Sequence, residues 1–248
     1  MTDSVLLWYF AAGFGAQLID GAIGMAFGTL SSSSLLSFGF PPQALSATVH
    51  AAKIFTGVAS SYSHWRLGNI DRELFRKLAP AAAVGALFGT LAILAMPGER
   101  LRPLLALYFT FIGGVVTVKA LWPAAIDPVK RVRTRVLGAI GGFFDAFSGA
   151  GWGEIVSSGL ILRGDNIQKA VGTMNLAELV VTSIVNVVFI AVQSAADWSV
   201  VLALAAGGIC AAPLGAWACK HLPSRPLILF SGVVLSLLGV RTLWLAWG

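Results

Sequence analysis

Long apolar runs alternate with short polar breaks along the chain. The runs fall at about residues 5–38, 43–63, 78–96, 103–122, 136–162, 170–193, 198–219 and 226–247. The breaks read SHWRLGNIDRELFRK, PGERLRP, PAAIDPVKRVRTR, RGDNIQ, QSAAD and KHLPSRP. A helix needs about 20 apolar residues to cross about 30 Å of hydrocarbon, and most runs have that length. Prolines in several breaks stop helices. A strand barrel would instead show short alternating segments. The pattern predicts an all-α integral membrane protein, because backbone in lipid must pair within itself.

The first and fifth runs are longer than the rest and carry unusual residues. The first contains DGAIGMAFGTLSSSS (20–34) and the fifth DAFSGAGWGEIVSSG (145–159). A shift of 125 residues superposes them. Asp20 meets Asp145, Gly24 meets Gly149 and Gly28 meets Gly153. Ser32 and Ser33 meet Ser157 and Ser158, Gln43 meets Gln168, and Thr48 meets Thr173. Further on, VKALW (118–122) matches VRTLW (240–244). The chain therefore reads as two homologous repeats of about four hydrophobic segments each, a recurrent plan for secondary transporters. The repeats are placed at 1–123 and 134–248, with a basic cytoplasmic linker at 124–133.

Charge adds an orientation. If each half makes four spans, basic residues divide almost evenly between the two sides. If the first run of each half is instead broken and re-entrant, the halves are inverted. Arg66, Arg72, Arg76, Lys77, Lys130, Arg131, Arg133, Arg135, Arg163, Lys169, Lys220 and Arg225 then share one side, and only Arg100 and Arg102 face the other. The positive-inside rule prefers the inverted model. Length agrees, since a continuous helix from Val5 to Ser37 would be about 50 Å long.

Composition fits a membrane. Hydrophobic residues make up 57% of the chain and charged residues 11%, with mean hydropathy +0.82. Soluble domains carry about 25% charged residues. The formal charge of +6 sits in short loops, so it points to topology rather than to nucleic acid. Cys210 and Cys219 offer neither a disulfide framework nor a metal spacing. MTDSVLLWYF has no basic region of the kind that opens a signal peptide. No metal or other cofactor is expected.

Ionisable groups in apolar runs are costly and mark cavities or partners. Asp20, Asp145 and Glu154 are such groups. The second run of each half adds ATVHAAK, with Thr48, His50 and Lys53, and GTMNLAE, with Thr173, Asn175 and Glu178. His50 and Lys53 are three apart on one helix face, as are Asn175 and Glu178. Lys53 and Glu178 are equivalents under the repeat, so an ion pair across the interface is one reading of them. The other is that Lys53 and His50 attract an anion while an acid carries or tunes a proton. Serines such as Ser32 either donate to an oxyanion or bond carbonyls of their own helix. Glycines either let helices pack closely or break the chain. The candidate binding set is Asp20, Gly24, Ser32, Thr48, His50 and Lys53 with Asp145, Gly149, Gly153, Thr173, Asn175 and Glu178. No nucleophile elbow, P-loop or zinc spacing is present, so an enzyme is not expected.

DGAIGMAFG and DAFSGAGWG, each followed by a second helix (Gln43…Thr48…Lys53 and Gln168…Thr173…Glu178), carry a family resemblance. HWRLGNID, GALFG, MPGERLRPLLALYF, CAAPLGAW and HLPSRPLILF extend it over nearly the whole chain. The chain resembles the sulfite exporter TauE/SafE family of membrane transporters. The resemblance implies export of a small inorganic or organosulfur anion, such as sulfite or a sulfonate, across a bacterial-type cytoplasmic membrane. Proton-coupled import of the same anions and a non-transporting accessory role are the alternatives, and the plan leaves room for a homodimer.

Overall fold

The computed structural model describes residues 3–122, 132–157, 159–160, 165–192 and 196–247. Most of the linker expected at 124–133, and Ser158, lie outside them. All regular structure in the described residues is helical. Five helices make the first half: α1 (Asp3–Ile23), α2 (Phe27–Ser37), α3 (Pro42–Arg66), α4 (Arg72–Ala95) and α5 (Gly98–Leu121). The second half has α6 (Thr134–Ser148), a π-helical turn (Gly153–Ser157), α7 (Ile167–Ala191), α8 (Trp198–His221) and α9 (Ser224–Trp247). Among the described residues, six helices are long and apolar enough to cross a membrane: α1, α4, α5, α7, α8 and α9. Helix α3 falls short of that hydropathy although it has 25 residues. Its polar residues Ser46, Thr48, His50, Lys53, Thr56, Ser60 and His64 are all buried. Large apolar side chains such as Leu7, Phe111, Ile190, Leu237 and Trp244 are exposed instead. Polar groups inside and apolar groups outside suit a lipid environment.

The long first run of each half is broken at equivalent places. Gly24 and Ala26 have φ of 71° and 136°, and Gly149 and Gly151 have φ of 75° and 116°. Under the shift of 125 residues, 24 lands on 149 and 26 on 151. Residues with a Cβ rarely adopt such angles, so Ala26 is a strained position where the second half uses glycine.

Helix pairing follows the same shift. Helix α1 packs on α8 and α6 on α4, the same pair with the halves exchanged. Both pairs run parallel: Gly13 meets Leu204 and Gly21 meets Gly215, while Gly138 meets Leu78 and Gly142 meets Ala82. Glycine lets these backbones approach closely. Equivalent helices, by contrast, run antiparallel to one another. On α5 and α9, Gly113 meets Ser236 and Gly232 meets Thr117. On α3 and α7, Lys53 meets Glu178 and Ser60 meets Asn175.

The caps repeat as well. The Asp71 carboxylate accepts from Glu73 and Leu74 N–H to start α4. The Asp197 carboxylate accepts from Ser199 and Val200 N–H to start α8. Their own backbone N–H groups donate to Thr173 Oγ1 (2.7 Å) and Thr48 Oγ1 (3.0 Å). An N-cap carboxylate is worth about 1 kcal/mol. Asp71→Ala and Asp197→Ala should therefore each lower stability by about 1 kcal/mol, and by similar amounts. Thermal unfolding in detergent measures this.

Candidate functional site

The breaks bring the ends of α1 and α6, the start of α2 and the middles of α3 and α7 together at the centre. The key contacts are electrostatic. Lys53 Nζ lies 2.7 Å from Asp145 Oδ1 and 2.7 Å from Glu178 Oε1. Lys53 is 4% exposed, Asp145 0% and Glu178 15%. The lysine thus joins three elements: α3, α6 and α7. His50, one turn before it, places Nε2 3.3 Å from Asp145 Oδ2. Its Nδ1 faces the Ser46 carbonyl at 2.9 Å and the Ser46 hydroxyl at 3.3 Å.

Asp20 lies on the last turn of α1. Its Oδ1 accepts from Phe27 N–H at 3.5 Å, across the break. That N–H opens α2, where the helix dipole favours a negative group. Ala26 supplies no side-chain cap, so Asp20 acts in its place.

Between these groups lies a cavity of about 10 Å³, room for about one water. Its polar lining is Gln17, Asp20, Lys53, Thr56, Asn175 and Glu178. The site is closed around Lys53, and a polyatomic anion enters only if the side chains part.

Charge is unbalanced here. Asp145 and Glu178 share the one ammonium of Lys53, and Asp20 is a third buried carboxyl beside the same cavity. An ammonium has three N–H groups. Two meet carboxylates, and Lys53 itself lines the cavity. Taking one partner from such a pair strands a buried charge.

The structure gathers Asp20, Lys53, Asn175 and Glu178 at the cavity and sets Asp145 and His50 directly behind Lys53. It places the other candidates elsewhere. Ser32 donates to the Gly149 carbonyl (3.0 Å), and its counterpart Ser157 donates to the Ile23 carbonyl (2.7 Å). These bonds stitch one break to the other. Thr48 and Thr173 serve the starts of α8 and α4. Gly24 and Gly149 supply the turns of the breaks. Gly153 packs against Gly24 and Met25, and Gly28 against Gly149 and Lys53. Asn175 is bound within the protein, giving Nδ2 to the Val171 carbonyl and accepting from Ser60. Trp152 is a core side chain whose Nε1 donates to the Met174 carbonyl.

Ser46, His50 and Asp145 form a chain of the three residue types that some hydrolases use. The Ser46 hydroxyl is spent on the Ala146 carbonyl at 3.2 Å, and all three residues are buried away from the cavity. A reactive serine needs access to a substrate, which this one lacks.

Three polar residues near the cavity escape a reading of sequence. Gln17 and Thr56 line it, and Ser60 holds Asn175. Gln17 falls one turn before Asp20, and Thr56 and Ser60 follow Lys53 at helical spacing. That spacing was the available signal.

The family model described as sulfite exporter TauE/SafE matches residues 9–242. The chain is 34% identical over 241 residues to the probable membrane transporter protein YtnM of Bacillus subtilis (strain 168), which covers 94% of this chain and 80% of that one. It is 27% identical over 171 residues to the probable membrane transporter protein ORF9 of a Sinorhizobium species, covering 67% of this chain and 65% of that one. No solved structure matches the chain.

Proposed function

Because the chain belongs to the sulfite exporter TauE/SafE family, we propose that this membrane transporter moves a small sulfur-containing anion, such as sulfite or a sulfonate, out across the cytoplasmic membrane. The observation that carries the reading is the buried Lys53, held between the two halves beside both helix breaks. A buried ammonium is an expensive group, retained where a charge must be met. The antiparallel run of α3 against α7 and of α5 against α9 supports an inverted pair of repeats, 1–123 and 134–248. In such a plan the binding site lies at the repeat interface, and access alternates about it. An inside-negative membrane favours exit by about 2.3 kcal/mol per charge per 100 mV, so export needs no driving ion.

The excess of carboxyl groups over amines at the centre favours a second element, a proton that accompanies the anion. An anion entering beside several carboxylates is repelled unless some of them are neutralised. With inward coupling the same site would make a proton-driven importer.

Purified protein in liposomes separates the two. Sulfite release should exceed a protein-free control and rise with an inside-negative voltage alone. Uptake against that voltage, driven by an imposed pH gradient, would establish the importer instead. No flux under either gradient would sink sulfite as the substrate.

A further inference from the structure

The central cavity contains a polar side chain that the protein itself does not use. Gln17 is 2% exposed. Its Nε2 is buried without a hydrogen-bond partner. The other buried polar atoms without partners among the described residues belong to Ser31, Ser61, Arg102 and Thr182, and none of those residues lines this cavity. Gln17 does, beside Lys53 and Glu178. Its neighbours are engaged: Asn175 with Val171 and Ser60, Asp20 with Phe27, and Lys53 with two carboxylates. Buried polar groups are nearly always paired, so an unpaired amide facing a cavity calls for a partner.

We propose that Gln17 is a substrate-contact residue, whose Nε2 donates to one oxygen of the small oxyanion that Lys53 attracts. This rests on the transport reading above. The chemistry of such a substrate asks for it. An oxyanion presents several oxygens, each needing a donor, while Lys53 already meets two carboxylates. Further lysines or arginines are absent from the cavity lining. A neutral amide supplies donors without requiring another buried charge. Its carbonyl can accept from a protonated oxygen, so it suits an anion that carries a proton as well as one that does not.

The test exploits the missing partner. Removing a paired buried amide destabilises a protein, whereas removing an unpaired one leaves nothing unsatisfied. Gln17→Leu should therefore unfold at the same temperature as wild type or higher. Its KM for sulfite in liposomes should rise about tenfold, which corresponds to about 1.4 kcal/mol. The rise in unfolding temperature caused by sodium sulfite should shrink in parallel. An unchanged KM and an unchanged sulfite shift would overturn the proposal and leave Gln17 a packing residue. If Gln17→Leu does not fold, Gln17→Met, which keeps the length of the side chain, is read the same way. Wild-type protein that sulfite neither stabilises nor crosses would overturn the substrate reading and this inference together. A wild-type response shared in full by the variant overturns this inference alone.

Discussion

Lys53→Ala should remove transport altogether and cost the fold about 3–5 kcal/mol, the usual penalty for breaking a buried ion pair. Both losses have one cause. The Nζ sits 2.7 Å from a carboxylate on α6 and 2.7 Å from another on α7. Without it, Asp145 and Glu178 are left without their shared cation, Asp145 buried behind the cavity and Glu178 lining it. A lower yield of Lys53→Ala is thus expected and does not by itself separate a structural lysine from a binding one. The separation comes from Lys53→Met combined with Asp145→Asn and Glu178→Gln. Replacing a whole buried charge cluster by neutral groups of similar size is often neutral for stability. That triple variant should recover yield and unfolding temperature while sulfite flux stays at the protein-free level. Lys53→Arg should fail too. The Nζ lies so near Gly28 that a Cβ there would come within 2.9 Å of it, which leaves no room for a guanidinium fork. Any folded protein lacking Lys53 that transports at the wild-type rate would remove the lysine from the site.

The centre of this molecule was partly legible in the sequence because the repeat supplies geometry. A shift of 125 residues pairs positions on the helices that run antiparallel in the structure, and some of these pairs touch. Lys53 and Glu178 are such a pair, and they meet. The breaks were legible from length and glycine, since a run of 33 residues exceeds the membrane as one helix. Partner choice was not legible. The repeat pairs Asp20 with Asp145, yet they do different work: Asp145 joins Lys53 and His50, while Asp20 caps α2. Which acid meets the lysine depends on side-chain reach across the interface, which no pattern along the chain encodes. The serines were ambiguous for a related reason. A buried hydroxyl bonds whatever carbonyl lies near, and only the crossing of the breaks puts Gly149 beside Ser32 and Ile23 beside Ser157. Gln17 was hidden because its counterpart is Gly142, so the repeat does not flag it. Hydropathy also understates α3, the helix with the most buried polar groups among the described residues, because those groups lower its average while Phe55, Val58, Tyr62 and Trp65 form an exposed apolar side.

Gly153→Ala should be among the most damaging single methyls in the described residues. The π-helical turn that begins at Gly153 crosses the first-half break at closest approach. A Cβ there would overlap the Gly24 carbonyl and the Met25 Cα, and would lie 2.6 Å from the Met25 Cβ. Two of these three atoms are backbone, so no rotamer change relieves the clash. Ordinary overpacking costs about 1–3 kcal/mol. This site should exceed that range, because Gly24 and Ala26 already hold left-handed φ values and have little room to move. The equivalent change, Gly28→Ala, meets the Gly149 carbonyl at 2.8 Å and the Lys53 Nζ at 2.9 Å. The end of a lysine can shift, but only by loosening its pairs. Gly28→Ala should therefore lose less stability than Gly153→Ala and still lose most of its flux. Gly15→Ala is the control: a Cβ there meets nothing within 4 Å, and alanine is the better helix former by about 1 kcal/mol. Unfolding temperature and sulfite flux, measured on the three proteins together, test the crossing directly. If Gly153→Ala is as stable and active as Gly15→Ala, the two breaks do not pack against each other, and a site built where they meet loses its scaffold.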